Sequence, residues 1–206
     1  MLSKSFCIFV HEITTNDNQN DKIMKRVLFA IIACVFVFGV DSYASAKDKK
    51  DGHVIEVVKG TAKVMREKAT ANLVFDWSNA YWMEKGLMKD ELSAVDYENY
   101  TTRAPQKFQE AFNDNSKGLK IVDDSSADYE IKVVVSKIDY FFSVMSVVPG
   151  HKHTFFGKVI VTQRSTGEEV LEVNLTRFKG GRDFVKDDSF YEMFLDLGKK
   201  ISSLKK

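Results

Sequence analysis

Four groups of residues have types and spacing that could do chemistry. His151-Lys152-His153 is the one histidine cluster of the chain. Two imidazoles at i and i+2 on a strand share a face and could hold zinc or copper. No third ligand stands nearby in sequence, and a solvated loop is the competing reading. Gly180-Gly181-Arg182-Asp183 could form a nest of backbone N–H groups for an anion, with Arg182 as a planar donor. A flexible connection ahead of a helix competes. Asp76, beside Trp77, could share acid–base work with Glu84 or Asp183, or simply end a strand in a turn. Ser143 and Ser146 lack the G-x-S-x-G setting that activates a nucleophilic serine. Neither a P-loop nor a dinucleotide fingerprint occurs.

Aromatic residues suggest contact rather than catalysis. Trp77, Tyr81 and Trp82 cluster in an irregular segment, where rings anchor a partner, stack on sugar, or cover one end of a core. Tyr140-Phe141-Phe142, followed by Val144-Met145, is apolar enough for an exposed patch or lipid-facing loop, against packing beneath helices. The candidate interaction residues are Trp77, Tyr81, Trp82 and Arg182. No residue is assigned a catalytic, cofactor-binding or metal-binding role, and no cofactor is expected.

Composition bounds what these residues can serve. The 206 residues are 44% hydrophobic and 29% charged, close to globular averages, so the chain can build a core. The net charge is +1. That balance gives no field for a nucleic-acid partner, which requires a clear basic excess. Both cysteines, Cys7 and Cys34, lie near the start, so the rest of the chain supports neither disulfides nor thiol catalysis.

The start of the chain reads as an export leader. Met24-Lys25-Arg26 is basic, Val27–Val40 is apolar and uncharged, and Asp41–Ala46 ends in Ala-x-Ala. These are the three parts of a secretory signal peptide, predicting cleavage after Ala46. Met24 is then the expected initiator, and residues 1–46 form the leader. A membrane anchor is disfavoured because the apolar run has 14 residues, against roughly 18 or more needed to span a bilayer. Lipidation at Cys34 is disfavoured because apolar Val35–Val40 would follow it. No transmembrane span is expected in the mature chain, 47–206, and its location is expected to be periplasmic or secreted.

Several elements must position the candidates. Val54–Val58 reads as a strand, with a bulge at Gly60 and continuation through Thr61–Met65. Arg66–Ala69 reads as a hairpin turn into a strand over Thr70–Trp77. Ala104, Phe108, Ala111 and Phe112 mark one helical face, capped by Thr101 or Thr102, with Pro105 in the first turn. Strands follow at 119–122, 129–142, 154–163 and 169–178, with loops at 143–153 and 180–183. Phe190, Phe194, Leu197, Ile201 and Leu204 form an amphipathic stripe, opened by Ser189 and Glu192 as a capping box. The fold class is α+β: a single domain with a mainly antiparallel sheet and two helices packed on one face.

Ala127-Asp128-Tyr129 before a strand and Thr166-Gly167-Glu168 in a later hairpin resemble uncharacterised bacterial envelope proteins. The layout is similar to the amino-terminal domain of the Tol-system periplasmic propeller protein and related envelope lipoproteins. Val58-Lys59-Gly60 followed by Phe75-Asp76 resembles small secreted proteins of Bacteroidetes-type bacteria. The resemblance implies an envelope location and this α/β arrangement, and carries no catalytic residues. The chain therefore reads as a non-enzymatic binding or assembly module whose partner is another envelope protein or ligand. An envelope hydrolase or metal-dependent enzyme using Asp76, His151, His153 or Arg182 is the alternative. A lipid or small-hydrophobe carrier using Phe141–Val148 is the second.

Overall fold

A computed structural model describes residues 54–143 and 150–205. The leader, 1–46, and residues Val144–Pro149 lie outside the described residues.

The last helix, α3 (Lys186–Ser202), forms where the stripe predicts it: Phe190, Phe194, Leu197 and Ile201 are buried on one face. Asp187 and Asp188 lie in its first turn and Lys199 and Lys200 in its last, each sign matching the helix dipole. It starts earlier than the capping box implies. Val185 is the N-cap, its N–H donating to Asp183 Oδ1 at 2.9 Å, and Ser189 lies inside the first turn.

The other long helix, α2 (Ala94–Asn115), has 22 residues and starts well before the expected Thr101 or Thr102. Ser93 caps it, accepting from the Asp96 N–H at 3.1 Å, so neither Thr101 nor Thr102 is the cap. Pro105 therefore sits in the helix interior. Proline there removes one backbone hydrogen bond and crowds the preceding turn. Burial of Tyr100, Ala104, Phe108, Ala111 and Phe112 on both sides of it holds the helix together. Asn113 anchors the exit, donating to the Ile121 carbonyl and accepting its N–H, both at 2.8 Å.

Eight strands among the described residues form one sheet: β1 (Val54–Gly60), β2 (Thr70–Asp76), β3 (Tyr81–Trp82), β4 (Gly86–Leu87), β5 (Lys120–Ile121), β6 (Tyr129–Ser143), β7 (Gly150–Gln163) and β8 (Glu168–Asp183). A short helix, α1 (Met88–Glu91), precedes α2. The order is β1-β8-β7-β6-β2-β5, with β3 beside β6 and β4 beside β3. The meander β6-β7-β8 and β1 pair antiparallel, whereas β2 and β3 run parallel to β6 and β5 parallel to β2. The domain is α+β with a mixed sheet, and both long helices pack on its apolar face.

Four local expectations are corrected. β1 and β2 are not a hairpin, because β8, β7 and β6 stand between them. Thr61–Met65 does not continue β1: a 3-10 helix spans Ala62–Arg66 and buries Ala62, Val64 and Met65. The bulge lies at Val58, where the register slips between Val57 and Lys59, and not at Gly60. The segments expected as loops at 150–153 and 180–183 are strand, since β7 and β8 keep pairing, across two register shifts, as far as His151↔Asp183.

The Ala127-Asp128-Tyr129 motif has a positional role. Ala127 is buried, Asp128 Oδ2 accepts from the Thr70 N–H at 2.9 Å, and the Tyr129 hydroxyl donates to Glu67 Oε2 at 2.6 Å. Together they fix the parallel register of β2 on β6.

The two long helices meet at Gly198, where an added Cβ would lie 2.4 Å from the Phe108 carbonyl oxygen and 3.1 Å from Phe112 N. Both obstacles are backbone and cannot rotate away. Overpacking of this kind costs about 1–3 kcal/mol. Gly198→Ala should lower the urea midpoint accordingly, with little change in the denaturant slope.

Candidate functional site

Strand parity places the histidines. The register Ile138↔Phe155, Tyr140↔His153 and Phe142↔His151 puts all six residues on the helix-covered face. His153 is therefore no loop residue: it is fully buried in β7. Its imidazole is ringed by Tyr140, Phe190 and Trp82, with ring centroids 5.1, 5.3 and 5.9 Å away. Nδ1 lies 2.8 Å from Ser189 Oγ. Ser189 Oγ also lies 2.8 Å from the Lys186 carbonyl, which can only accept. The serine proton therefore goes to that carbonyl, and Nδ1–H donates to Oγ. Nε2 is left as a buried acceptor without a partner. Loss of solvent, then the positive charges of Lys186 and His151, push the His153 pKa down to about 3.

His151 stands one row outward, and its Nδ1 is hydrogen-bonded to the Tyr140 hydroxyl at 2.7 Å. The Tyr140 ring packs against both imidazoles, at 5.7 Å from His151 and 5.1 Å from His153. Among the described residues no group of three or more His, Cys, Asp or Glu gathers to hold a metal.

The remaining candidates are dispersed. Asp76 is on the opposite, open face, bound to Ser78 Oγ at 2.6 Å and to Lys132 Nζ at 2.9 Å. The Ser78 hydrogen bond and then Lys132 hold its carboxyl down at about 2. Glu84 bridges to Lys137 at 2.6 Å, five residues further along β6 than Lys132, or roughly 17 Å along a strand. Asp183 ends β8. The three carboxylates do not meet. Gly180 and Gly181 form no anion nest, because both lie in a strand against α3. An added Cβ on Gly180 would lie 2.3 Å from Met193 Cα, and the Gly181 N–H donates to Asp196 Oδ2 at 3.1 Å. Arg182 pairs with Lys152 in register.

No protein-family model matches the chain, and no curated protein matches it by sequence. Among solved structures it is similar to the PelC dodecamer of Paraburkholderia phytofirmans, with TM-score 0.40 and 10% identity over 74% of this chain and 99% of that one. It is similar to a Helicobacter pylori homologue described as a putative neuraminyllactose-binding hemagglutinin, with TM-score 0.32 and 7% identity over 70% and 83% of the two chains. A Xanthomonas campestris protein of the family model DUF330 gives TM-score 0.33 and 11% identity over 65% and 82%. Likeness at this level transfers no function. Neither the Bacteroidetes-type nor the Tol-system resemblance gains support from these comparisons.

The aromatic segment divides. Trp82 is buried in β3 and stacks on Tyr100 at 6.1 Å. Trp77 is half-buried on Phe75 and Phe194, at 5.6 and 5.7 Å. Only Tyr81 of the three presents an exposed ring.

A different surface carries most of the exposed apolar side chains; the sequence offered its Phe141-Phe142 part only as one of two readings and did not single out Phe184-Val185. Phe141 and Phe142 near the end of β6, and Phe184 and Val185 after β8, are 63, 47, 72 and 52% exposed. The row Phe142↔His151↔Asp183 crosses three neighbouring strands, about 10 Å in all, so these residues share one end of the sheet, with Phe142 on the covered face and Phe141 on the other. The signal was present in the apolar Tyr140–Phe142 run and in Phe184-Val185, which sits outside the periodic stripe of α3.

At the opposite end, an open polar cleft of about 620 Å³ is lined by Lys68, Ser125, Asp128 and Arg164. The Arg164 guanidinium is already engaged there by the Ser125 carbonyl and Glu130.

Burial separates the two neighbouring aromatics of β3 by effect. Trp82→Ala should destabilise the fold by about 3–5 kcal/mol, as for a buried aromatic. Tyr81→Ala should stay within about 0.5 kcal/mol. Chemical denaturation of the two variants measures both.

Proposed function

We propose that the chain is a non-enzymatic periplasmic or secreted envelope module, exported by a leader cleaved after Ala46, that binds another envelope protein through its apolar end. One observation carries this reading: Phe141, Phe142, Phe184 and Val185 are exposed together at one end of a domain whose other large apolar side chains are mostly buried. Exposed apolar side chains gathered in one place mark contact surfaces, and aromatics are enriched where such contacts carry energy.

The charge around them favours a protein over an anionic bilayer or nucleic acid. Residues 139–143, 150–154 and 179–188 hold Lys152, Lys179, Arg182 and Lys186 against Asp139, Asp183, Asp187 and Asp188. That end has no net charge to attract phosphate. The Arg182 position of β8 borders this end, and Trp82 lies beneath it beside His153 and Lys186. Asp76, with both oxygens engaged, and His153, sealed from solvent, add to the case against the hydrolase reading.

Site-specific photo-crosslinking in the producing cell tests this. A photoreactive residue replacing Phe142 or Phe184 should yield a discrete protein adduct, and one replacing Val58, exposed on β1, should not. Lipid adducts alone, equal adducts from position 58, or none at 142 and 184 would each overturn the reading.

A further inference from the structure

His153 sits where four elements meet: β7 carries it, Tyr140 of β6 and Trp82 of β3 flank it, and Ser189 and Phe190 of α3 close over it. A phenylalanine or leucine would fill such a place without an orphaned acceptor. A buried polar atom lacking a partner is destabilising, and here it sits in the contact that holds the first turn of α3 to the sheet. We propose that His153 is an acid latch: protonation of its imidazole releases the first turn of α3 from β7 and widens the apolar end.

The surroundings determine the sense of the switch. Lys186 of α3 sits over the Trp82 and Tyr140 rings at 5.6 and 5.7 Å, and His151 follows one row out on β7. Both repel an added proton. Tyr140 of β6 is engaged with His151. The Tyr100 hydroxyl of α2 donates to Asp187 Oδ1 at 2.6 Å, which holds that carboxylate toward α2. Among the described residues an imidazolium formed here has no ion-pair partner and no acceptor for Nε2–H, and it gains both hydration and charge dispersal by opening.

The linkage follows in sign and size. The imidazole pKa is about 3 when closed and about 6.5 when open to water. The closed state is therefore fully favoured above about pH 6.5 and loses ground as pH falls from there toward 3. Between pH 7 and pH 5 the open-to-closed ratio rises about 25-fold by this linkage. The effect needs only the isolated protein and does not depend on what the apolar end binds.

Hydrogen exchange at pH 7 and pH 5, corrected for intrinsic rates, reads it directly. Amides of Lys186–Phe190 and of His153–Phe155 should lose about 25-fold protection, while Leu73–Phe75 in β2 stays unchanged. His153→Asn, which keeps a donor toward Ser189 but cannot titrate in this range, should abolish the change. His151→Asn should retain it. Unchanged wild-type protection, the same acid response in His153→Asn, or its loss in His151→Asn would overturn the latch. If His153→Asn does not fold, the NMR titration of His153 in the wild-type protein decides. A midpoint near 6.5 without loss of protection sinks the proposal; a proton taken up only as those amides open supports it.

Discussion

The fold depends on a mismatch of lengths. β7 has 14 residues and spans roughly 46 Å, while α3 has 17 and spans roughly 26 Å. One helix cannot cover one strand. The 3-10 helix at Ala62–Arg66 and the final turns of α2 close one end, where Met65, Leu119 and Ile121 are buried. α3 covers the middle, with Phe194 against Phe155 and Phe75. Beyond the His153 row the described residues supply no further layer, and the meander continues with apolar side chains into solvent. The exposed end is thus a consequence of strands that outrun their cover.

That mismatch also explains the value of the contact at Ser189. A helix whose N-cap makes no side-chain hydrogen bond has a weak first turn. Here the turn is held from the side instead: Nδ1 of His153 reaches Ser189, the Ser189 hydroxyl reaches the Lys186 carbonyl, and Asp187 receives the Tyr100 proton from α2. The Tyr100 hydroxyl is buried beside that carboxylate, and both effects push its pKa up, keeping it a donor. Two of these bonds come from other elements, β7 and α2, so the turn stays in place only while the elements stay together. Local stability at this end is therefore set by tertiary contacts rather than by helix propensity.

Much of this was legible in the residues, and the misses have physical causes. The stripe of α3 and the alternation of β6 and β7 are periodic over many residues, and periodicity survives tertiary context. Parallel pairing of β2 with β6 leaves no such mark: a short link at Arg66–Ala69 reads as a hairpin unless the burial of Val64 and Met65 is known. The start of α2 was signalled by Ser93 and Asp96, three apart, but Pro105 outweighed it, because proline propensity is local and the packing that overrides it is not. The histidine pair reads as loop because Pro149-Gly150 stands just before it. Extending the alternation of Phe155 and Val159 back by two and four residues would have placed both imidazoles on the covered face.

Parity also determines which chemistry the chain can assemble. Asp76 pairs with Val134 and, through Lys132, belongs to the open face, while His151 and His153 belong to the covered one. A sheet keeps such residues apart whatever their sequence spacing, because moving either across would require a register slip that exposes its whole apolar set. The open face is filled by cross-strand ion pairs such as Lys158 with Glu172 and Lys132 with Asp76, at 3.1 and 2.9 Å, each group already answered by its neighbour. The covered face is filled by rings. The domain thus has a neutralised face and a sealed face, and its unsatisfied surface is concentrated at the end where the strands emerge.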